Sequence, residues 1–328
     1  MNLLSLLVAV FVTSAVFGRS LDDILDKELS SLTAPTKTGV PEYVTSDNSM
    51  SVQRQHVKDT AFAKSSLDKI VGGTEAKQGE LPWQASVKYG NGTHSFFKCG
   101  AAIIDNLWLL SAAHCFVGST YEFMVTVGDY NLLAKETNEV TFKVESILNH
   151  KLYDPKTTVN DIALLRVNPG SDGKGISFNK FVQPISLINS AASPPVGALL
   201  VVSGWGGILR CKNCTSEPQE FPPILKKAEV PAISQEECKR LYSQNTITDR
   251  MLCAGWLDGR ADACTGDSGG PLVYETAGSK VLAGVVSWAG GCGLENTPGV
   301  YTRVSSFLDW IQETKESYVP PAYQLLFK

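Results

Sequence analysis

The chain has 328 residues and a formal net charge of −4; 43% of its residues are hydrophobic and 19% are charged. The charged share lies below the roughly 25% usual for soluble domains, and Gly 28 and Pro 16 are ordinary counts. These figures exclude a collagen-like or low-complexity chain and give no basic footprint for nucleic acid. The length allows one or two domains with a full core, so the 8 cysteines would staple a core and not replace one.

At the N-terminus, Leu3 to Val12 is apolar except for Ser5, and small residues follow at Ala15 and Gly18. The run is shorter than the roughly 20 residues that cross a bilayer. It reads as a secretory signal peptide over residues 1–18, so a secreted, extracellular protein with no membrane association is expected. Residues 19–69 are rich in Ser, Thr, Asp and Lys and hold no cysteine. Within them Leu21 to Leu32 is spaced for a short amphipathic helix, and Ala34 to Asn48, with Pro35, Gly39 and Pro41, reads as linker. From Ile70 onward short apolar runs alternate with turn residues: Trp83 to Tyr89, Phe96 to Ile104, Phe123 to Val127, Val140 to Ile147, Ile162 to Val167 and Val281 to Val286. Many short strands punctuated by turns predict an all-β sandwich or barrel. Two helices are predicted, each from a capping-box pattern: Ser234 with Glu237 ahead of Cys238 to Tyr242, and Ser306 with Asp309 for Phe307 to Thr314.

Three separated strings carry the chemistry. In Gly266-Asp267-Ser268-Gly269-Gly270-Pro271, the glycines let the backbone bend sharply around the serine and approach a substrate closely. The N–H groups of Gly266 and Ser268 can then point at a developing oxyanion. A nucleophilic serine needs a base, and the 4 histidines are His56, His94, His114 and His150. None follows Ser268. Gly266-x-Ser268-x-Gly270 also fits the nucleophile elbow of α/β-hydrolases, but that fold places its histidine after the serine. The chain order is therefore His–Asp–Ser or Asp–His–Ser. The second string is Ser111-Ala112-Ala113-His114-Cys115. The third is Asn160-Asp161-Ile162-Ala163-Leu164-Leu165, an aspartate at the head of an apolar strand, which is costly without a partner.

On these strings the chain resembles trypsin-like serine proteases of the chymotrypsin family, from about Ile70 to Thr314. The resemblance implies an all-β fold of two packed antiparallel six-stranded β-barrels with a C-terminal helix. It implies a protease domain over residues 70–315, a C-terminal extension over 316–328, and a triad of His114, Asp161 and Ser268. His56, His94 and His150 lack a matching context. Lys69-Ile70-Val71-Gly72-Gly73 resembles the family's activation junction. Cleavage after Lys69 by a trypsin-like protease would free the α-amine of Ile70 to pair with Asp267, making residues 19–69 an activation peptide. Asp262 stands at the position of the primary pocket's base, which implies cleavage after Arg or Lys. Ser287 and Trp288 match the strand that binds substrate backbone, and Gly299 matches a glycine of the pocket wall. Two departures stand out: Ala263 replaces a serine beside the aspartate, which favours Arg over Lys, and Ala289 replaces a wall glycine, which narrows the entrance.

The resemblance also implies the disulfides Cys99–Cys115, Cys238–Cys253 and Cys264–Cys292. Cys211 and Cys214 are left over, and in a secreted chain with an even count they are expected to bridge locally. Asp129, Asn131, Glu136 and Glu139 fall at the spacing of the family's calcium loop, and their oxygens suit Ca²⁺; no cofactor is expected for catalysis itself. Asn91-Gly92-Thr93 and Asn213-Cys214-Thr215 are glycosylation sequons, with Asn91 the expected glycan site. The reading is a secreted zymogen of a digestive endopeptidase acting as a monomer on proteins and peptides, and held in check by protein inhibitors. A cascade component of narrower specificity and a catalytically silent binding homologue are the alternatives; the silent homologue predicts damage to His114, Asp161, Ser268 or Gly266, and none is damaged.

Overall fold

The structure, a computed structural model, describes residues 71–90, 95–170, 173–189, 193–214, 220–242, 247–276 and 278–321. The apolar run Leu3 to Val12, residues 19–69, the Lys69–Ile70 junction, Asn91 and His94, and Leu325 to Lys328 lie outside the described residues.

After a two-residue strand β1 (Thr74–Glu75), six strands form the first barrel: β2 (Gln84–Gly90), β3 (Ser95–Ile103), β4 (Trp108–Ser111), β5 (Phe123–Val127), β6 (Val140–Asn149) and β7 (Ala163–Val167). They close in the order β2-β3-β4-β7-β6-β5, with β5 returning to β2. After β8 (Ser186–Leu187) the second barrel uses β9 (Leu199–Gly204), β10 (Lys226–Ile233), β11 (Met251–Ala254), β12 (Pro271–Thr276), β13 (Ser279–Trp288) and β14 (Gly299–Arg303). These run β10-β11-β14-β13-β12-β9, and the β9–β10 pairing closes the ring. The expected pair of six-stranded antiparallel barrels is thus present; β1 lies outside β10, and β8 pairs in parallel with β13. All six strand expectations are met within a few residues at their ends, where apolar periodicity carries least information.

Period-two patterning drives this closure. Along β10, Ala228, Val230 and Ala232 are buried while Lys227, Glu229 and Pro231 lie less deep. Ile103, Leu109, Leu110, Leu164 and Leu165 fill the first barrel, and Leu200, Val202, Leu272, Val285 and Tyr301 the second, all at 0% exposure. Each such aliphatic side chain contributes about 1.5–3 kcal/mol by leaving water. One apolar cluster runs through both barrels. At their junction Gly100 N–H on β3 donates to Ser268 O (2.8 Å), and a Cβ on Gly100 would lie 2.8 Å from Gly270 Cα. The glycine is what lets the barrels touch beside the serine.

Helix α1 (Gln235–Leu241) is capped by Ser234, whose hydroxyl accepts from Glu237 N–H. Only half of the expected box forms, because the Glu237 carboxylate turns to Arg240. The cap expected from Ser306 is a correction: α2 (Leu308–Glu316) has Phe307 as N-cap and no side-chain cap bond. Ser306 is instead spent in a 3-10 turn, Val304–Ser306, and the helix start is set by burial of Phe307 and Ile311. Beyond the helix, Tyr318 returns to the first barrel. Its ring meets Trp108 edge-on at 5.2 Å, Arg166 sits 4.9 Å over it, and its hydroxyl bonds Ser146 Oγ at 2.7 Å.

Candidate active site

The three strings converge between the barrels. His114 lies on a single 3-10 turn, Ala113–Cys115, directly after β4, and the Cys99–Cys115 disulfide ties that turn to β3. Asp161 leads into β7 and is 0% exposed. Its Oδ2 bonds His114 Nδ1 at 2.7 Å, and its Oδ1 accepts from His114 N–H at 2.9 Å. Two further donors hold it: Ser287 Oγ to Oδ2 (2.6 Å) and Thr302 Oγ1 to the main-chain carbonyl (2.6 Å). The costly buried carboxylate is therefore satisfied on both oxygens. Because Nδ1 is committed to Asp161, Nε2 is the ring nitrogen left to exchange a proton.

Ser268 opens into a cleft of about 480 Å³ whose walls include Ala263, Cys264, Ser287, Trp288, Ala289 and Gly299. Gly266 takes φ +99°, a conformation that an L side chain rarely adopts. Among the described residues, the N–H groups of Gly266 and Ser268 donate to nothing, which leaves two donors for an oxyanion. Asp267 between them is wholly buried and accepts from Gly206 N–H (2.8 Å) and Cys264 N–H (2.9 Å). Burial pushes its pKa up to about 6, against the opposing pull of these two amides. Any Cβ on Gly204 or Gly206 would strike the Asp267 carboxylate, at 2.2 and 2.4 Å. Gly204-Trp205-Gly206 is thus a cradle for that side chain, a role the sequence reading did not give it.

Asp262 lies behind the cleft lining at 2% exposure. Its Oδ2 accepts from Gly293 N–H at 3.0 Å, while its Oδ1 has no partner among the described residues. The neighbouring Ala263 offers no hydroxyl, and the Tyr301 hydroxyl behind Gly299 is likewise unpartnered. Burial pushes the Asp262 pKa up to about 7, countered by the Gly293 and Ala263 amides and reinforced by Asp267. Val71 pairs with Asp262 through its carbonyl, which accepts from Asp262 N–H at 3.1 Å, and is 4% exposed. The residue after Ile70 is thus docked on the loop that carries both aspartates.

His150 stays apart from this constellation. It packs on Phe307 and Trp310 (5.4 and 5.2 Å), and burial, then the Arg250 charge, hold its pKa below the usual value. Sequence reasoning missed the positioning residues Thr302 and Arg250. Arg250 grips Asn160 Oδ1 at 2.8 Å, and Asn160 turns the chain into Asp161 with φ +60°. Asn is among the few residues that accept that conformation, and this was the one legible signal.

All four disulfides expected from the cysteines are formed: Cys99–Cys115, Cys211–Cys214, Cys238–Cys253 and Cys264–Cys292. In the acidic loop, Asp129, Glu136 and Glu139 bring carboxylate oxygens within 4.8 Å of one another. Asn131 is not presented the same way, since its Oδ1 accepts from Leu133 N–H. Asp129 Oδ2 is held by Ser86 (2.6 Å) and Lys88 (2.9 Å), while its buried Oδ1 has no partner among the described residues. A buried carboxylate with one orphaned oxygen, clustered with two more carboxylates, is a donor set that fits a hard cation. Among the described residues no helix is long and apolar enough to cross a membrane.

Comparison with known proteins agrees with this geometry. A family model described as Trypsin matches residues 70–311. "Transmembrane protease serine 9" of Rattus norvegicus is 42% identical over 260 residues, which is 78% of this chain but 23% of that protein. The chain thus corresponds to under a quarter of that relative's length. "Trypsin-1" of Astacus astacus is 39% identical over 247 residues, covering 74% of this chain and 98% of that protein. "Trypsin II-P29" of Gallus gallus is 37% identical over 251 residues, covering 76% and 91%.

Proposed function

Because the chain belongs to the trypsin family of serine endopeptidases, we propose that it cleaves peptide bonds after Arg and Lys, as a secreted zymogen opened at Lys69–Ile70. The observation that carries this reading is the buried, under-bonded Asp262 carboxylate behind the cleft that holds Ser268. A cationic side chain reaching it would gain a charge-assisted pair and relieve an oxygen with no other partner among the described residues.

Chemistry follows from the triad. His114 Nε2 takes the proton of Ser268 Oγ as that oxygen attacks the scissile carbonyl, then gives it to the leaving amine. Asp161, fixed by Ser287 and Thr302, keeps the proton of the neutral ring on Nδ1 and stabilises the imidazolium. The N–H groups of Gly266 and Ser268 stabilise the tetrahedral oxyanion, each such donor contributing roughly 3–4 kcal/mol. No cofactor takes part in these steps.

Activation rests on Asp267. Its buried carboxylate is held only by neutral amides among the described residues. A free α-amine on Ile70 would supply the missing opposite charge, and Val71, the next residue, pairs with Asp262 on the loop that carries Asp267. After treatment with a trypsin-like protease, the chain should cut a peptide library on the carboxyl side of Arg and Lys. Lys69→Gln should leave the library uncleaved under the same treatment. Cuts after neutral or acidic residues would refute the pocket reading, and full activity of Lys69→Gln the activation reading. A digestive role suits a pro-segment without a cysteine-framed module, with protein inhibitors as its natural partners.

Calcium is the proposed structural ion of the acidic loop, held by Asp129, Glu136 and Glu139. Lys88 already occupies one side of Asp129, so weak affinity is expected. About millimolar calcium should raise Tm in the unsubstituted protein and not in Asp129→Asn. Equal Tm with and without the ion would remove the site.

A further inference from the structure

The Cys211–Cys214 bridge lies in the loop that follows the Gly204–Gly206 cradle and forms part of the cleft wall, where Lys212, Asn213 and Cys214 all face the space. Cys211 and Cys292 exchange both backbone hydrogen bonds, at 3.1 and 2.8 Å. Residues so paired in an antiparallel ladder have Cα atoms about 5.5 Å apart. That pairing stacks one disulfide on the other. Cys214 Sγ lies 3.2 Å from Cys292 Sγ, Cys211 Sγ lies 4.0 Å from Cys264 Sγ, and all four sulfurs fall within 4.8 Å of one another. Burial is uneven: Cys211, Cys264 and Cys292 are 2%, 6% and 4% exposed, while Cys214 is only half-buried. Two cations flank the loop. Lys212 is exposed beside the bridge, and Arg210 runs close enough to Gly293 for a Cβ there to meet its Cγ at 3.1 Å. Nearby cations favour thiolate over thiol.

We propose that these four cysteines form a thiol–disulfide exchange site, in which a dithiol reductant entering at Cys214 passes its reduction to the Cys264–Cys292 bridge of the cleft. The reductant's thiolate attacks Cys214 Sγ, the accessible sulfur; the Cys211–Cys214 bond breaks, and Cys211 leaves as a thiolate. The reductant's second thiol then attacks its own sulfur in the mixed disulfide. It departs as a cyclic disulfide, and Cys214 is released as a thiolate. The reductant has lost two electrons and the cysteine pair has gained them. Cys214 next attacks Cys292 Sγ, its 3.2 Å neighbour. The Cys214–Cys292 bond forms, Cys264–Cys292 breaks, and Cys264 takes the electron pair and a proton. This last step is electron-neutral, and its requirement is proximity between attacking and receiving sulfurs. The outcome re-pins Cys292, in the loop after β13, to the loop that carries Cys214. The wall that carries Asp262, Gly266 and Asp267 then loses its covalent tie to the Ser287–Gly293 wall.

The test is a thiol map on the full chain under native conditions, so it stands whether or not the Arg/Lys reading of the cleft survives. Protein treated with limiting dithiothreitol is quenched in acid, alkylated with N-ethylmaleimide and mapped without further reduction. The expected map shows a Cys214–Cys292 cross-linked peptide with Cys211 and Cys264 alkylated. In the double variant Cys211→Ser/Cys214→Ser, Cys264–Cys292 should survive the same dose. A map with Cys211 and Cys214 alkylated and Cys264–Cys292 intact overturns the proposal. So does a double variant whose Cys264–Cys292 bridge is reduced as fast as in the unsubstituted protein. If the double variant does not fold, the map of the unsubstituted chain decides alone.

Discussion

Ser268→Ala is expected to lower kcat of the activated enzyme about a million-fold, the loss typical when the nucleophile of such a triad is removed. The substitution deletes the attacking Oγ and leaves its surroundings standing. Gly100 N–H still donates to the Ser268 carbonyl, and Asp161 still holds His114 through two bonds. The N–H groups at positions 266 and 268 also remain, so a residual acceleration of roughly 10³–10⁴ over water should persist from oxyanion binding and substrate placement. KM and Tm should hardly move, because no buried contact is lost. Asp161→Asn makes the useful contrast. There the loss should be nearer 10⁴-fold, the value known for this change in serine proteases, because the ring is held in the wrong tautomer while Ser268 survives. Steady-state kinetics on one peptide substrate, with an active-site titrant to count competent sites, measures both. A titrant burst from Ser268→Ala would show that another residue is the nucleophile.

The triad was legible because each member lies in a contiguous string whose neighbours are fixed by backbone geometry. Gly266 needs a positive φ, Gly269 and Gly270 pack against Ser111, Gly100 and Ser203, and His114 follows directly on β4. Chain order alone left two arrangements of His, Asp and Ser open, and the family resemblance chose between them. What could not be read are the bonds between distant strings. Ser287 reaches Asp161 across 126 residues, and Gly206 reaches Asp267 across 61. Nothing local in a Ser-Trp or a Gly-Trp-Gly string announces such partners, since they exist only once the two barrels have closed on each other. The failed cap at Ser306 has the same root. A Ser-x-x-Asp string favours a helix start, but burying Phe307 and Ile311 against the barrel is worth more than one hydroxyl–amide bond, and the start moved to where the core required it. The Cys211–Cys214 loop shows the limit from the other side. Its local bridge followed from counting cysteines, but its stacking on Cys264–Cys292 depends on a backbone pair between residues 211 and 292 that no sequence pattern encodes.

Asp262→Asn should reverse the usual relation between activity and stability, and the direction follows from the burial of one carboxylate. With no cation in the cleft, Asp262 Oδ1 has no partner among the described residues, and burial raises its pKa to about 7, from 3.8 in an unstructured chain. Between about pH 4 and pH 7 the folded protein therefore binds this proton while the unfolded chain has released it. Stability falls as pH rises through that window and is lowest above it, where an ionised group sits buried without a counter-charge. Asparagine has nearly the same shape and no charge, so at pH 8 the variant should have the higher Tm, and the two proteins should converge below pH 4. Activity should move the opposite way. Removing one partner from a buried charge pair costs about 2–5 kcal/mol, so kcat/KM on an Arg substrate should drop roughly 30- to 4000-fold. A substrate with a neutral residue at the same place should lose little. In the unsubstituted enzyme the ratio of Arg to neutral kcat/KM should climb as pH rises through about 7, because only the ionised carboxylate attracts a cation; in the variant that ratio should be flat. Among cations, Arg should be favoured over Lys. Ala263 gives an ammonium no hydroxyl to replace a lost water, whereas a planar guanidinium can still bind the carboxylate with two hydrogen bonds. A variant that loses Arg and neutral substrates equally, or melts lower at pH 8, would show Asp262 to be a structural group and not the seat of specificity.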